Sequence, residues 1–163
     1  AERLNSQHAS LVRTEVSVNE LVENLLQDFF QRSADRLRVM LPQDPLVVSV
    51  DEARIALLLK NLISNALRYS RREDGPIDII VSASESELIM KVSDKGPGMS
   101  VEEARHIGEP FYRSDESRAR ESGGTGLGLY LASLVVKAHG GSLRLLDNEG
   151  PGACFEVRIP LKP

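Results

Sequence analysis

Asn61, Asn65, Arg68 and Tyr69 are spaced so that they share one face of a helix. Two amides, a guanidinium and a phenol in that arrangement suit a metal ion and phosphates better than an apolar core. Taken alone, the helix fits a solvated polar stripe equally well. A second stretch adds an acid and a tight turn: Asp94, Lys95, Gly96, Pro97, Gly98 and Met99 follow a predicted strand over 87–93. Such a turn exposes backbone and lets a ligand approach closely. A third stretch, Gly123, Gly124, Thr125, Gly126, Leu127, Gly128 and Leu129, opens onto an apolar helix, where free N–H groups and the helix dipole face an anion. It is not a P-loop, because no Lys follows these glycines. Nor is it G-x-G-x-x-G, because Leu129 stands where the last glycine belongs. The glycine run by itself is a weak signal.

The elements that must hold these stretches show simple periods. Leu58, Leu62 and Ala66, with Leu59, Ile63 and Leu67 beside them, give the helix carrying Asn61 and Asn65 an apolar face, and Asp51 is placed to cap its start. Ser17 and Glu20 form a capping-box pattern for an earlier helix. Its stripe of Val18, Leu21, Val22, Leu25, Leu26 and Phe29 is read as core. Strands are predicted over 11–16, 38–41, 46–50, 77–83, 87–93, 142–146 and 153–159. Pro42 and Pro45 separate the second from the third, and the fourth and fifth form an antiparallel hairpin. A short helix over 100–107 and a longer one over 127–138 complete the order βαββαββααββ. Residues 108–125 are charged, rich in Ser and Gly and without apolar period, which reads as a mobile lid. The order is that of an α/β sandwich, with one mixed, largely antiparallel sheet covered by helices on one face.

Composition narrows the function classes. A chain of 163 residues supports one cored domain, expected over 11–163, with 1–10 as the end of a preceding helical segment or a linker. The net charge of −4 argues against general nucleic-acid binding. No stretch approaches the ~18 apolar residues of a membrane span, and no signal peptide is seen. The single Cys154 excludes an internal disulfide, and a cytoplasmic domain is expected. With 4% aromatics and no Trp, the core must be aliphatic. His8 lies in a polar segment, His106 in the last turn of the short helix, and His139 before Gly140 at a helix end, an ordinary C-cap arrangement.

The three stretches, in this order and at these intervals, resemble the ATP-binding catalytic domain of bacterial sensor histidine kinases, in the superfamily shared with DNA gyrase, Hsp90 and MutL. Residues 61–70 match that family's N box and 94–99 its D-x-G-x-G box. Glu109, Pro110, Phe111, Tyr112 and Arg113 resemble its F box, and 124–129 its second glycine box. The resemblance covers about 11–160 and implies a Bergerat-type α/β sandwich with nucleotide between the helical layer and the lid. It also implies ATP and Mg²⁺, and a role for each residue. Asn65 would supply a side-chain oxygen to the metal and Asn61 would assist. Arg68 and Tyr69 would reach phosphates. Asp94 would accept from the adenine amino group, with Gly96, Gly98 and Met99 close to the base. Phe111 would tether the lid, and Arg113 would meet the terminal phosphate, with Arg118 and Arg120 as competitors. Gly124, Thr125, Gly126, Leu127 and Gly128 would line the phosphates. The lid also resembles that of envelope-stress (Cpx-like) sensors.

One departure separates activities. The gyrase and Hsp90 branch places a Glu one turn before the metal-binding Asn to activate water; here that position is Asn61, an amide that cannot act as a base. Transfer is therefore expected rather than hydrolysis. The resemblance puts the acceptor histidine on a dimeric helical hairpin, passes the phosphoryl group to a response regulator, and anchors the parent protein in the bacterial inner membrane. His8 lacks the acceptor context of a following acid and Arg/Lys-x-Pro. Two rivals stand beside this reading: a protein-serine kinase of the sigma-factor-regulating type, and a non-enzymatic nucleotide-sensing module.

Overall fold

The computed structural model describes residues 11–98, 128–146 and 151–161. The short helix over 100–107, the lid over 108–125 and the segment 1–10 lie outside the described residues. Strand β1 (Thr14–Ser17) leads into helix α1 (Val18–Phe29), whose capping by Ser17 is realised: its hydroxyl accepts the Glu20 N–H at 3.3 Å. A 3₁₀ turn (Gln31–Arg36) precedes β2 (Leu37–Met40) and β3 (Val47–Val50). Asp51 then caps α2 (Glu52–Tyr69), accepting the Arg54 N–H at 3.3 Å. Strands β4 (Ile77–Ala83) and β5 (Glu87–Ser93), helix α3 (Gly128–Ala138), and strands β6 (Ser142–Leu146) and β7 (Cys154–Pro160) follow.

Five strands form the mixed sheet, in the order β2-β4-β5-β7-β6; β2 runs parallel to β4 and the other pairings are antiparallel. The period-2 pattern sends Ile77, Ile79, Val81, Leu88, Met90, Val92, Phe155, Val157 and Ile159 to one buried face, under the helices. The opposite face carries ion pairs, Arg38 with Asp78 at 2.7 Å and Arg158 with both Glu87 and Glu156 at 3.0 Å. From α2, Ile55, Leu58, Leu59, Leu62, Ile63 and Ala66 complete the core, an aliphatic one as composition requires.

Two details differ from the sequence expectation. The first and third strands do not join the sheet; β1 and β3 form their own antiparallel ribbon, Thr14 opposite Val50. The segment between β2 and β3 is pinned to the start of α1: Val18 N–H donates to the Leu46 carbonyl at 2.8 Å, and the Asn19 amide bridges the Pro42 carbonyl and the Leu46 N–H. Those bonds turn β3 away from β2. Phe29, read as core, is instead 56% exposed, at the last turn of α1, with the Lys60 ammonium 4.0 Å above its ring.

Candidate functional site

The C-terminal half of α2 presents the predicted polar face. While its apolar stripe is buried, Asn61, Asn65 and Tyr69 are half-buried and Arg68 is exposed. The Asn61 Nδ2 is fully buried and, among the described residues, has no hydrogen-bond partner. A water or a ligand oxygen is the kind of acceptor that can satisfy such a donor. Among the described residues no group of three or more His, Cys, Asp or Glu is placed to hold a metal ion.

The end of α2 is closed by protein groups. Ser70 Oγ donates to the Ala66 carbonyl at 2.6 Å, while Arg36 donates from Nη2 to Ser70 Oγ at 3.1 Å and from Nη1 to the Leu67 carbonyl at 3.5 Å. A cation over these last carbonyls satisfies acceptors that the helix leaves open and suits the negative end of its dipole. Gly96 packs directly on this end: a Cβ there would stand 2.5 Å from the Tyr69 carbonyl oxygen. The glycine therefore joins the loop after β5 to the helix that carries the amides.

Asp94 is the buried acid of that loop, 5% exposed. Its Oδ1 accepts the Gly96 N–H at 2.9 Å and the Ala153 N–H at 3.4 Å, and its own N–H donates to the Ala153 carbonyl at 2.9 Å. Among the described residues, no donor is bonded to Oδ2. Burial pushes the Asp94 carboxyl above its ordinary value; the two backbone N–H bonds oppose that shift and the nearby Asp74 charge adds to it. Lys95, its neighbour, is tied elsewhere, donating to the Pro76 carbonyl at 3.0 Å and lying 3.6 Å from Asp78.

A contributor that the sequence analysis does not name is Gly152, between the last two predicted strands. Its φ is +112°, and a Cβ on it would stand 1.9 Å from the Asp94 carbonyl oxygen. Gly98, at φ +82°, faces the Gly152 carbonyl in turn, with a Cβ position 2.9 Å from that oxygen. The tripeptide Gly-Pro-Gly occurs twice, at 96–98 and 150–152, and that repetition was the available signal. Arg36 gave none.

Gly128 opens α3 with open space about its Cβ position. Met99, Phe111, Arg113, Arg118, Arg120, Gly124, Thr125, Gly126 and Leu127 lie outside the described residues, as do His8 and His106. His139 is confirmed at a helix end. Gly140, at φ +74°, donates to the Lys137 carbonyl and Gly141 to the Val136 carbonyl, each at 2.9 Å, the paired bonds of a Schellman close.

Residues 50–163 match the family described as histidine kinase-, DNA gyrase B-, and HSP90-like ATPase. The chain is 36% identical over 149 residues to the sensor histidine kinase MtrB of Mycobacterium leprae, covering 90% of this chain and 26% of MtrB. It thus spans about a quarter of the length of such relatives. The mycobacterial sensor histidine kinase MprB superposes with a TM-score of 0.79 at 26% identity, covering 92% of this chain and 99% of that one. Full-length ShkA, solved in complex with AMPPNP, gives 0.75 at 26% identity over 92% of this chain and 31% of ShkA.

Proposed function

The chain belongs to the family of histidine kinase-, DNA gyrase B- and HSP90-like ATPases, among the sensor histidine kinases, and from that membership we propose that it binds Mg-ATP and transfers the terminal phosphoryl group to a histidine on a separate helical hairpin. The observation that carries the reading is the half-satisfied buried carboxylate. Asp94 has Oδ1 held by two backbone N–H groups and, among the described residues, no donor on Oδ2, beside the helix that presents Asn61 and Asn65. As an acceptor, it suits the amino group of adenine and opposes the carbonyl that guanine has there. The AMPPNP bound by ShkA supports an adenine nucleotide.

Phosphoryl transfer asks for charge neutralisation and alignment more than for covalent chemistry. Asn65, with Asn61, would hold Mg²⁺ through amide oxygens, hard ligands that suit it, and the ion would supply charge neutralisation on the phosphates. The orphaned Asn61 Nδ2 is a donor for a phosphate oxygen. Arg68 offers an exposed guanidinium and Tyr69 a hydroxyl to the phosphates, and Arg113 is assigned the terminal phosphate. Asn61 cannot take a proton from water, so hydrolysis stays slow. The response regulator is the onward acceptor. Among the described residues no helix is long and apolar enough to cross a membrane, and the membrane anchor is assigned to another part of the parent protein.

Labelled ATP tests this. The chain alone should acquire no stoichiometric label, since the ring nitrogens of His139 are both engaged within the protein. The cognate hairpin, added as a separate polypeptide, should take up acid-labile label at a rate that rises with its concentration, because the covalent link that sets effective concentration is absent. Acid-stable label on a protein substrate would favour the serine-kinase reading. Label on this chain alone would overturn the proposal.

A further inference from the structure

The loop that bears Asp94 is braced from the neighbouring strand of the sheet, by the residues just before β7. The Asp94 N–H and the Ala153 carbonyl are bonded at 2.9 Å, the Ala153 N–H lies 3.4 Å from Oδ1, and Gly152 leaves no room for a side chain beside the Asp94 backbone. We propose that Gly152 and Ala153 are positioning residues for base recognition: they orient the Asp94 carboxylate so that Oδ1 is consumed by backbone and Oδ2 alone faces the amino group of a purine nucleotide. This rests on the reading of Asp94 as the adenine acceptor.

Several features combine in that assignment. A carboxylate with both oxygens free rotates and accepts from donors in several directions, whereas two N–H groups on one oxygen fix the plane and aim the other. Gly96 supplies one of those N–H groups from within the loop, two residues away, and by itself follows wherever the loop goes. Ala153 supplies the other from 59 residues away in sequence, immediately before β7, the strand paired along its length with β5. The external brace thus ties the carboxylate to the rigid sheet rather than to its own turn. Gly152 makes the approach possible. Its φ of +112° is open to glycine, and the 1.9 Å separation leaves no position for a Cβ without displacing the Asp94 carbonyl.

The test compares ATP with purine riboside triphosphate, which lacks the amino group, by calorimetric titration of the intact chain. The unaltered protein should prefer ATP by about 10- to 100-fold, the worth of one hydrogen bond to a charged group. Gly152→Ala should lose that preference by weakening ATP while leaving the amino-less analogue little changed. Gly140→Ala is the control: it strains an equally left-handed glycine, φ +74°, with nothing within 4 Å of the added carbon, and should lower melting but keep the preference. No preference in the unaltered protein would sink the adenine reading itself. Preference retained in Gly152→Ala would sink only the positioning role. Should that variant not fold, amide exchange in the unaltered chain decides. ATP should slow exchange at Ala153 more than purine riboside triphosphate does, and equal protection overturns the proposal.

Discussion

The backbone N–H of Asp51 donates to Nε2 of His139 across 3.1 Å, joining the first turn of α2 to the last turn of α3. The same ring donates from Nδ1 to the Val135 carbonyl at 2.9 Å, so the imidazole is neutral with each nitrogen in a fixed role. Asp51 is itself committed: its carboxylate takes the Val12 N–H at 3.0 Å and caps α2. Two helices of the layer over the sheet are thereby locked through one buried ring.

That lock should be sensitive to acid. Burial, as the largest cause, holds the His139 imidazolium pKa below its ordinary 6.5, with Asp51 opposing and Arg13 and Arg54 reinforcing the shift. The folded protein therefore binds fewer protons here than the unfolded chain. The contribution is complete above the unfolded value and is lost as pH falls towards the folded one. Melting followed from about pH 7.5 to about pH 5 should show the decline, and His139→Gln should flatten it while lowering stability at neutral pH by about 0.5–1.5 kcal/mol for each hydrogen bond lost. Parallel curves for the two proteins would mean that His139 does not titrate in this window.

Asp94 should trade stability for binding. Its carboxyl pKa is raised, so its stabilising contribution is complete below the unfolded value of 3.8 and is lost as pH rises through the folded one; at neutral pH the buried charge is a net cost to the nucleotide-free domain. Asp94→Asn keeps an oxygen for Gly96 and Ala153 and removes the charge. Melting without nucleotide should hold or rise, while ATP affinity falls by about 1.5–3 kcal/mol. Calorimetry with ATP and GTP checks both halves. Equal affinity of the unaltered chain for the two nucleotides would remove Asp94 from base recognition.

What could be read from sequence was local. Ser17, Asp51 and Gly140 announce helix ends by chemistry confined to a turn, and the alternation 77–83 and 87–93 marks a hairpin whose buried face is Ile77, Ile79, Val81, Leu88, Met90 and Val92. The polar face of α2 and the Asp94 turn were legible for the same reason. Contacts between distant residues were not. Nothing in the period of β2 declares a parallel partner in β4, and nothing near His139 points to Asp51, 88 residues away. Gly96 illustrates the difference. The type of residue suggested a close approach, but the nearest group is the Tyr69 carbonyl, at 2.5 Å from the Cβ position. Phe29 fits a helical stripe, yet its turn ends beside Lys60 with more than half of it in solvent, because periodicity does not say how far the covering layer extends.

Asn65→Ala should separate the metal from the fold. Asn65 is half-buried on the polar face of α2, opposite the stripe that packs on the sheet, so melting should change little. The Mg²⁺-dependent part of nucleotide affinity should disappear, leaving similar binding with Mg²⁺ and with a chelator. Full transfer to the hairpin with Mg²⁺ in the variant would show that the metal is held elsewhere.

Asn61 offers the sharper contrast, because its buried Nδ2 has no partner among the described residues. A structural asparagine loses stability when truncated, since it leaves its partners unpaired. An amide donor that is buried and unpaired already carries that penalty, of about 1–3 kcal/mol, in the native protein. Asn61→Ala should therefore leave melting unchanged or raise it, while weakening nucleotide binding through the lost phosphate or metal contact. ATP turnover by the chain alone should be slow before and after the change, as neither an amide nor a methyl accepts a proton from water. The measurements are thermal unfolding with and without Mg-ATP, and phosphate release. A clear loss of stability in the nucleotide-free variant, with unaltered ATP affinity, would place Asn61 in the architecture of α2 rather than in the site.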